Sequence, residues 1–191
     1  MTTTANSPAV DAAALMLGQL GLYDPDSDAS RDTPRRLVQA LTEMTAGQHV
    51  DPDRHLKTTF PPESDDPGLI VVTAVPFISV CEHHLLPFTG TATVGYLPSA
   101  GARIVGLSKL SRVVQEYAAR PQVQERLGQQ VVDALTRHLD TRAAGCVIRS
   151  AHSCMTHRGA RATGAEMVTS HLAGQLRTDP AMRSEFMALT R

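Results

Sequence analysis

Two short segments place thiols beside imidazoles: Cys-Glu-His-His at 81–84 and Ala-His-Ser-Cys at 151–154. Thiolate and imidazole are preferred zinc ligands, and ligands supplied in close pairs lower the cost of ordering a site. Taken singly, a cysteine is more often a small core residue and a histidine a satisfied polar group. Taken together, these residues point to a metal. Strand alternation would put Cys146, Ile148, Ser150, His152 and Cys154 on one face. In the first segment it groups Cys81 with His83, so Cys81 can act with His84 only if the chain turns there. If His83 or His152 is kept for acid–base work, at most three unambiguous ligands remain. Three ligands plus water is the pattern of a catalytic zinc, and a closed set of four that of a structural one. Such a zinc lowers the pKa of water enough for attack on an electrophilic carbon near neutral pH, with adjacent histidines moving protons.

Cationic and polar residues offer a second kind of chemistry. Ser108, Lys109 and Arg112 fall at the start of an expected helix, where free N–H groups and the helix dipole favour an anion such as phosphate. A solvated helix face is the commoner use of one such Lys/Arg pair. Arg158 and Arg161 follow Cys154 closely, and Arg36 lies on an N-terminal helix. Glu125 begins another helix and either complements its dipole or accepts hydrogen bonds from a base edge. Gln124 beside it either meets the same ligand or is an ordinary amide.

The elements that must carry these residues follow from periodicity. Ala9, Ala12, Ala13, Met16 and Leu20 recur at helical spacing, and 33–47 reads as a helix with Thr33 as N-cap, Pro34 at its first position and Gly47 as its stop. The turn-rich stretch 61–68 separates an N-terminal helical region (1–68) from a main domain (69–191). Within that domain, LIVVTAVPFISVCEHHL and FTGTATVGYLP read as a strand pair, with Pro76 marking an edge or a bulge. Two helical stripes split at Pro121 come next. CVIRSAHSCM and GAEMVTSHL return to strand character, and a last helix starts at Asp179–Pro180.

Bulk properties restrict the function classes. A chain of 191 residues, 42% hydrophobic with no Trp, suits one main domain of helices and a modest sheet. Lys and Arg number 18 against 19 Asp and Glu, without the basic excess of duplex nucleic-acid binders. The N-terminus has no basic leader and no apolar run of membrane-spanning length, so a cytoplasmic protein with no membrane association is expected. Three cysteines without a secretion signal argue against a disulfide framework.

SVCEHH, GLSKLSR, RPQVQERL and HSCMTHRG occur in this order, and together they resemble the GTP cyclohydrolase I family from about Val75 to Arg158. DTPRR resembles its N-terminal helix motif. The resemblance implies an α+β T-fold, an antiparallel sheet with paired helices on one face, assembled as a toroidal homodecamer with active sites at subunit interfaces. It implies Zn2+ held by Cys81, His84 and Cys154, with His83 and His152 transferring protons near the purine N7 and the ribose. It further implies that Glu125, with Gln124 beside it, holds the guanine edge. Ser108, Lys109, Arg112, Arg158 and Arg36 then contact the triphosphate and ribose, Arg36 from a neighbouring subunit. The implied reaction is hydrolytic opening of GTP at C8, release of formate and rearrangement to 7,8-dihydroneopterin triphosphate, the entry to folate and pterin biosynthesis.

Some positions depart from the family pattern. Gln39 stands where some bacterial members have a phosphate-binding Lys. Gly164, Glu166 and His171 stand where small or hydroxyl residues are expected, and around His152 the segment has Ser153 and His157 in place of more apolar neighbours. Glu166 would repel a triphosphate if it faced the pocket. These departures frame two alternatives: a paralogue that takes a related purine nucleotide or stops at the ring-opened formamide, and a non-catalytic metal-binding scaffold. Cys146 is expected to be a core residue with no part in metal binding.

Overall fold

The computed structural model describes residues 7–190. The first six residues, part of the stretch read as lacking a targeting leader, lie outside them, as does the final arginine. The chain folds as two compact units, Met1–Ala46 and Gly47–Arg191.

In the first unit, α1 (Pro8–Gln19) is capped by the Ser7 side chain and packs against α2 (Thr33–Met44). Asp32, rather than the expected Thr33, occupies the cap position of α2. Its side chain makes no capping bond and stands 3.6 Å from both Arg35 and Arg36.

The second unit contains a 3-10 segment, Pro52–Lys57, and a small antiparallel pair of β1 (Thr59–Phe60) with β4 (Ile104–Val105). Its centre is a five-stranded sheet. β2 (Ile70–Cys81) and β3 (Pro87–Pro98) form the expected hairpin, β6 (Thr141–His152) pairs with β3, and β7 (Met167–Gly174) pairs with β6, all antiparallel. The two-residue β5 (Pro121–Gln122) runs parallel to Val80–Cys81, giving the order β5-β2-β3-β6-β7. β2 is bulged between Val72 and Val75, where Ala74 takes φ 53°, and Pro76 sits just beyond on the stretch that β5 leaves uncovered. Pro lacks a ladder N–H, so an uncovered stretch beside a bulge accommodates it.

α3 (Leu107–Ala118) and α4 (Gln124–His138) lie on one face of the sheet. Their buried stripes, including Leu110, Val113, Val114, Leu127, Val131 and Leu135, meet Phe77, Phe88, Val94, Tyr96, Cys146 and Ile148 in the main core. This is the T-fold arrangement. A smaller core on the other face joins Leu97, Ala143 and Val147 to Leu176 of α6 (Gln175–Thr178) and Phe186 of α7 (Pro180–Ala188). Asp179 caps α7 through bonds from the N–H groups of Ala181 and Met182, with Pro180 at the first position. Among the described residues no helix is long and apolar enough to cross a membrane.

Candidate metal centre and active site

β2 ends at Cys81, and the chain turns at once. The Cys81 carbonyl accepts from the N–H groups of His84 (3.3 Å) and Leu85 (2.8 Å), while the Cys81 N–H donates to the Leu86 carbonyl (2.8 Å). Leu85 adopts φ 53° to close the turn. The turn breaks strand alternation and brings His84, rather than only His83, round to the Cys81 sulfur.

The strand expected to run through Cys154 stops at His152. Cys154 lies on the short helical turn α5 (Ser153–Thr156), where the Thr156 hydroxyl donates to the His152 carbonyl at 3.1 Å. Cys146, Ile148 and Ser150 do share the buried, helix-facing side of β6. Leaving the strand at His152 swings Cys154 toward the end of β2.

One ligand atom each from Cys81, His84 and Cys154 lies within 4.8 Å of the others, and the two sulfurs are 4.0 Å apart. Two sulfurs sharing a tetrahedral zinc stand about 3.8 Å apart. Two thiols and an imidazole at these separations therefore fit a soft or borderline divalent ion. Burial, and after it the neighbouring Cys81 sulfur, push the Cys154 thiol up, with Arg158 opposing. A dication between the sulfurs would reverse that balance. His83 approaches the same sulfur, its Nδ1 3.8 Å from Cys81 Sγ, and an Arg158 N–H faces His84 Nε2 at 3.2 Å.

His152 stands beside the cluster with its ring stacked on Phe88, centroids 4.3 Å apart and planes 6° from parallel. Burial lowers its pKa, and the Glu125 carboxylate opposes the shift. Gln124, 0% exposed, reaches under the sheet edge from the first turn of α4, its amide bonded to Ile148, Met167, Thr169, Ser150 and His152. The amide that the sequence offers to a ligand is thus engaged within the protein. Glu125, the next residue, is exposed. An open cleft of about 420 Å³ is lined by His152, Cys154, Met155, Ala165, Glu166 and Met167. Glu166 therefore does face the cleft, with its carboxylate 4.0 Å from Arg149.

Ser108, Lys109 and Arg112 are not among the residues that line this cleft. The C-terminal end of α3 leads into β5, which pairs with Val80–Cys81. Ser108 and Lys109 occupy the opposite end, about 15 Å away along the axis. Arg36 is exposed on α2 in the first unit. Sequence reasoning missed Phe88 and Arg149, and it placed Ser150 on the right strand face without its bond to Gln124. Phe88 reaches His152 through strand register and Ser150 reaches Gln124 through helix-on-sheet packing, neither of which a local pattern encodes.

Known proteins resemble this chain over most of its length. GTP cyclohydrolase 1 of Mycolicibacterium vanbaalenii is 49% identical over 166 residues, 87% of this chain and 81% of the relative. That of Mycobacterium ulcerans is 43% identical over 188 residues, 98% and 92% of the two chains. That of Rhodopirellula baltica is 47% identical over 166 residues, 87% and 71%. The family model described as GTP cyclohydrolase I matches residues 10–191, and by that span and those identities this chain belongs to the GTP cyclohydrolase I family.

Proposed function

We propose that this protein converts GTP to 7,8-dihydroneopterin triphosphate and formate, using zinc held by Cys81, His84 and Cys154. The observation that carries this reading is the convergence of those three ligand groups beside a cleft lined by His152. Zinc bound there supplies the Lewis acidity that makes water nucleophilic near neutral pH. The protein's own residues do the rest. Glu125, exposed on the first turn of α4, accepts hydrogen bonds from the donor edge of guanine and so presents C8 to the cleft. His83 and His152 move protons as the imidazole ring opens, one at the purine nitrogen and one at the ribose. Arg158, already beside His84, contacts the ribose or phosphates.

Ser108, Lys109 and Arg112 form a triphosphate site at the N-terminal end of α3, where helix dipole and side-chain charge add. The N-terminal end of α3 lies about 15 Å along the helix axis from the end that leads to Cys81, which supports assigning this site to a second copy and Arg36 to a neighbouring subunit. This assignment favours the ring of ten subunits implied by the resemblance, working in the cytoplasm.

A second reading is favoured by one observation: Glu166 lines the cleft, where its charge would oppose a polyphosphate. A related purine nucleotide, or arrest at the ring-opened formamide, fits that reading. Incubation of zinc-loaded protein with GTP, followed by mass spectrometry and a formate assay, separates them. Pterin triphosphate with formate supports the first reading, and formamide without formate, or no turnover of GTP, supports the second.

A further inference from the structure

An imidazole can accept a proton only at the ring nitrogen that keeps its lone pair, and the partner of the other nitrogen decides which that is. The partner of His152 is Gln124 Oε1, 3.0 Å from Nε2. An amide can in principle be turned over so that N and O exchange places. Here it cannot. The Gln124 nitrogen lies 3.1 Å from the carbonyl of Ile148, 3.1 Å from that of Met167 and 3.2 Å from Thr169 Oγ1. The two backbone carbonyls only accept, so the NH2 group must face them. The oxygen is left toward Ser150 Oγ at 2.5 Å and His152 Nε2. Amide oxygen cannot donate, so His152 Nε2 must carry a hydrogen. The ring plane is fixed by the Phe88 stack, and the amide is fixed by burial.

We propose that Gln124 is a positioning residue that sets the tautomer of His152, keeping one proton on Nε2 and leaving Nδ1 to take and return the proton that moves during catalysis. The inference rests on His152 being a proton-transfer group. Nδ1 accepts a proton from a group in the cleft to give the imidazolium, and returns the same proton to the leaving or opening nitrogen or oxygen. Throughout, the Nε2–H bond to Gln124 is unbroken. Helix α4 thereby serves the site with two adjacent residues of different function: Glu125 toward the base, and Gln124 toward the histidine from within the core.

The test is solid-state NMR of the full-length, zinc-loaded protein labelled with ¹⁵N-histidine, with the His152 signals assigned by their loss in His152→Asn. Long-range couplings that mark Nε2 as protonated and Nδ1 as bare are expected. A His152 protonated on Nδ1 instead overturns the proposal without any change at Gln124. In Gln124→Met the Nε2–H signature should give way to a mixture, whereas Ser150→Ala, which removes only a second donor to the same oxygen, should keep it. Steady-state kinetics of Gln124→Met should show kcat reduced about tenfold or more, with KM for the nucleotide changed less than about threefold. A raised KM with unchanged kcat would instead make Gln124 a substrate contact and overturn the assignment. Full turnover by His152→Asn would refute the proton-transfer role of His152, while the tautomer measurement still judges what Gln124 does to the ring.

Discussion

The His171 ring occupies the space that a side chain at position 128 would need: a Cβ built on Gly128 would stand 2.8 Å from His171 Nε2 and closer still to Cδ2. Gly128 is the fifth residue of α4, inside the helix, where glycine is disfavoured by about 1 kcal/mol relative to alanine. Its presence is explained by strand β7 pressing an imidazole onto the helix one turn beyond Gln124 and Glu125. Gly128→Ala should therefore lower stability by about 1–3 kcal/mol through overpacking. In a His171→Ala background the same substitution should raise stability by about 1 kcal/mol, because only the helix preference remains. Urea midpoints of the four proteins at one protein concentration close the cycle, and an equal effect in both backgrounds would remove His171 as the cause.

Metal content should separate the three cysteines. Cys81→Ala and Cys154→Ala each remove one of the two sulfurs, and both should lose metal measured by elemental analysis after gel filtration. Cys146 is fully buried among Val94, Ile148 and the helix stripes, outside the ligand cluster. Cys146→Ala should retain the full metal content. Loss of metal in that variant would refute the assignment of the ligands.

Those parts of the site that a local pattern encodes are legible in the amino-acid sequence alone. Strand alternation puts Cys146, Ile148 and Ser150 on one face, helical stripes split at Pro121 give α3 and α4, and Pro76 marks the irregular stretch of β2. Alternation fails at Cys154 because the strand ends two residues earlier. It also underdetermines His84, whose approach to Cys81 depends on a turn closed by Leu85 in a left-handed conformation. Gln124 reads as a ligand contact or an ordinary amide because no local pattern marks it as buried beside the exposed Glu125. Helical spacing places adjacent residues about 100° apart, so one faces solvent and the other the sheet.

Asp53 has no sequence signal at all, yet it is the buried acid that ties the Pro52–Lys57 segment to both long helices. Its carboxylate accepts from the Tyr117 hydroxyl at 2.6 Å and from Arg137 at 2.8 Å, and stands 2.7 Å from His138 Nε2. Burial, and then Asp53 itself, push the Tyr117 hydroxyl pKa upward, so it remains a donor at any working pH. Asp53→Asn should cost about 2 kcal/mol, since the charge-assisted bonds weaken while Arg137 stays largely in solvent. Metal content should be unaffected, because none of these residues belongs to the ligand cluster. A stability equal to that of the unmodified protein in urea titration would show that the network contributes nothing net.

Cys146 also gives the molecule a predictable alkaline limit. Burial pushes its thiol up to about 12 from an ordinary value of 9.0. Below pH 9 the thiol is protonated in both folded and unfolded chains, so its contribution is fully present and independent of pH. Between about 9 and 12 the unfolded chain releases the proton and the folded chain does not. Stability then falls by up to about 1.4 kcal/mol per pH unit. Tyr96 and Tyr117, both raised by burial from 10.0, act in the same direction at higher pH. The interval from pH 9 to 10 is therefore where the thiol dominates among these three groups. Urea midpoints at pH 8, 9 and 10 should fall more steeply for the unmodified protein than for Cys146→Ala, which carries a constant packing loss but no titrating group. Parallel pH dependences in the two proteins would show that the Cys146 thiol does not set the alkaline limit.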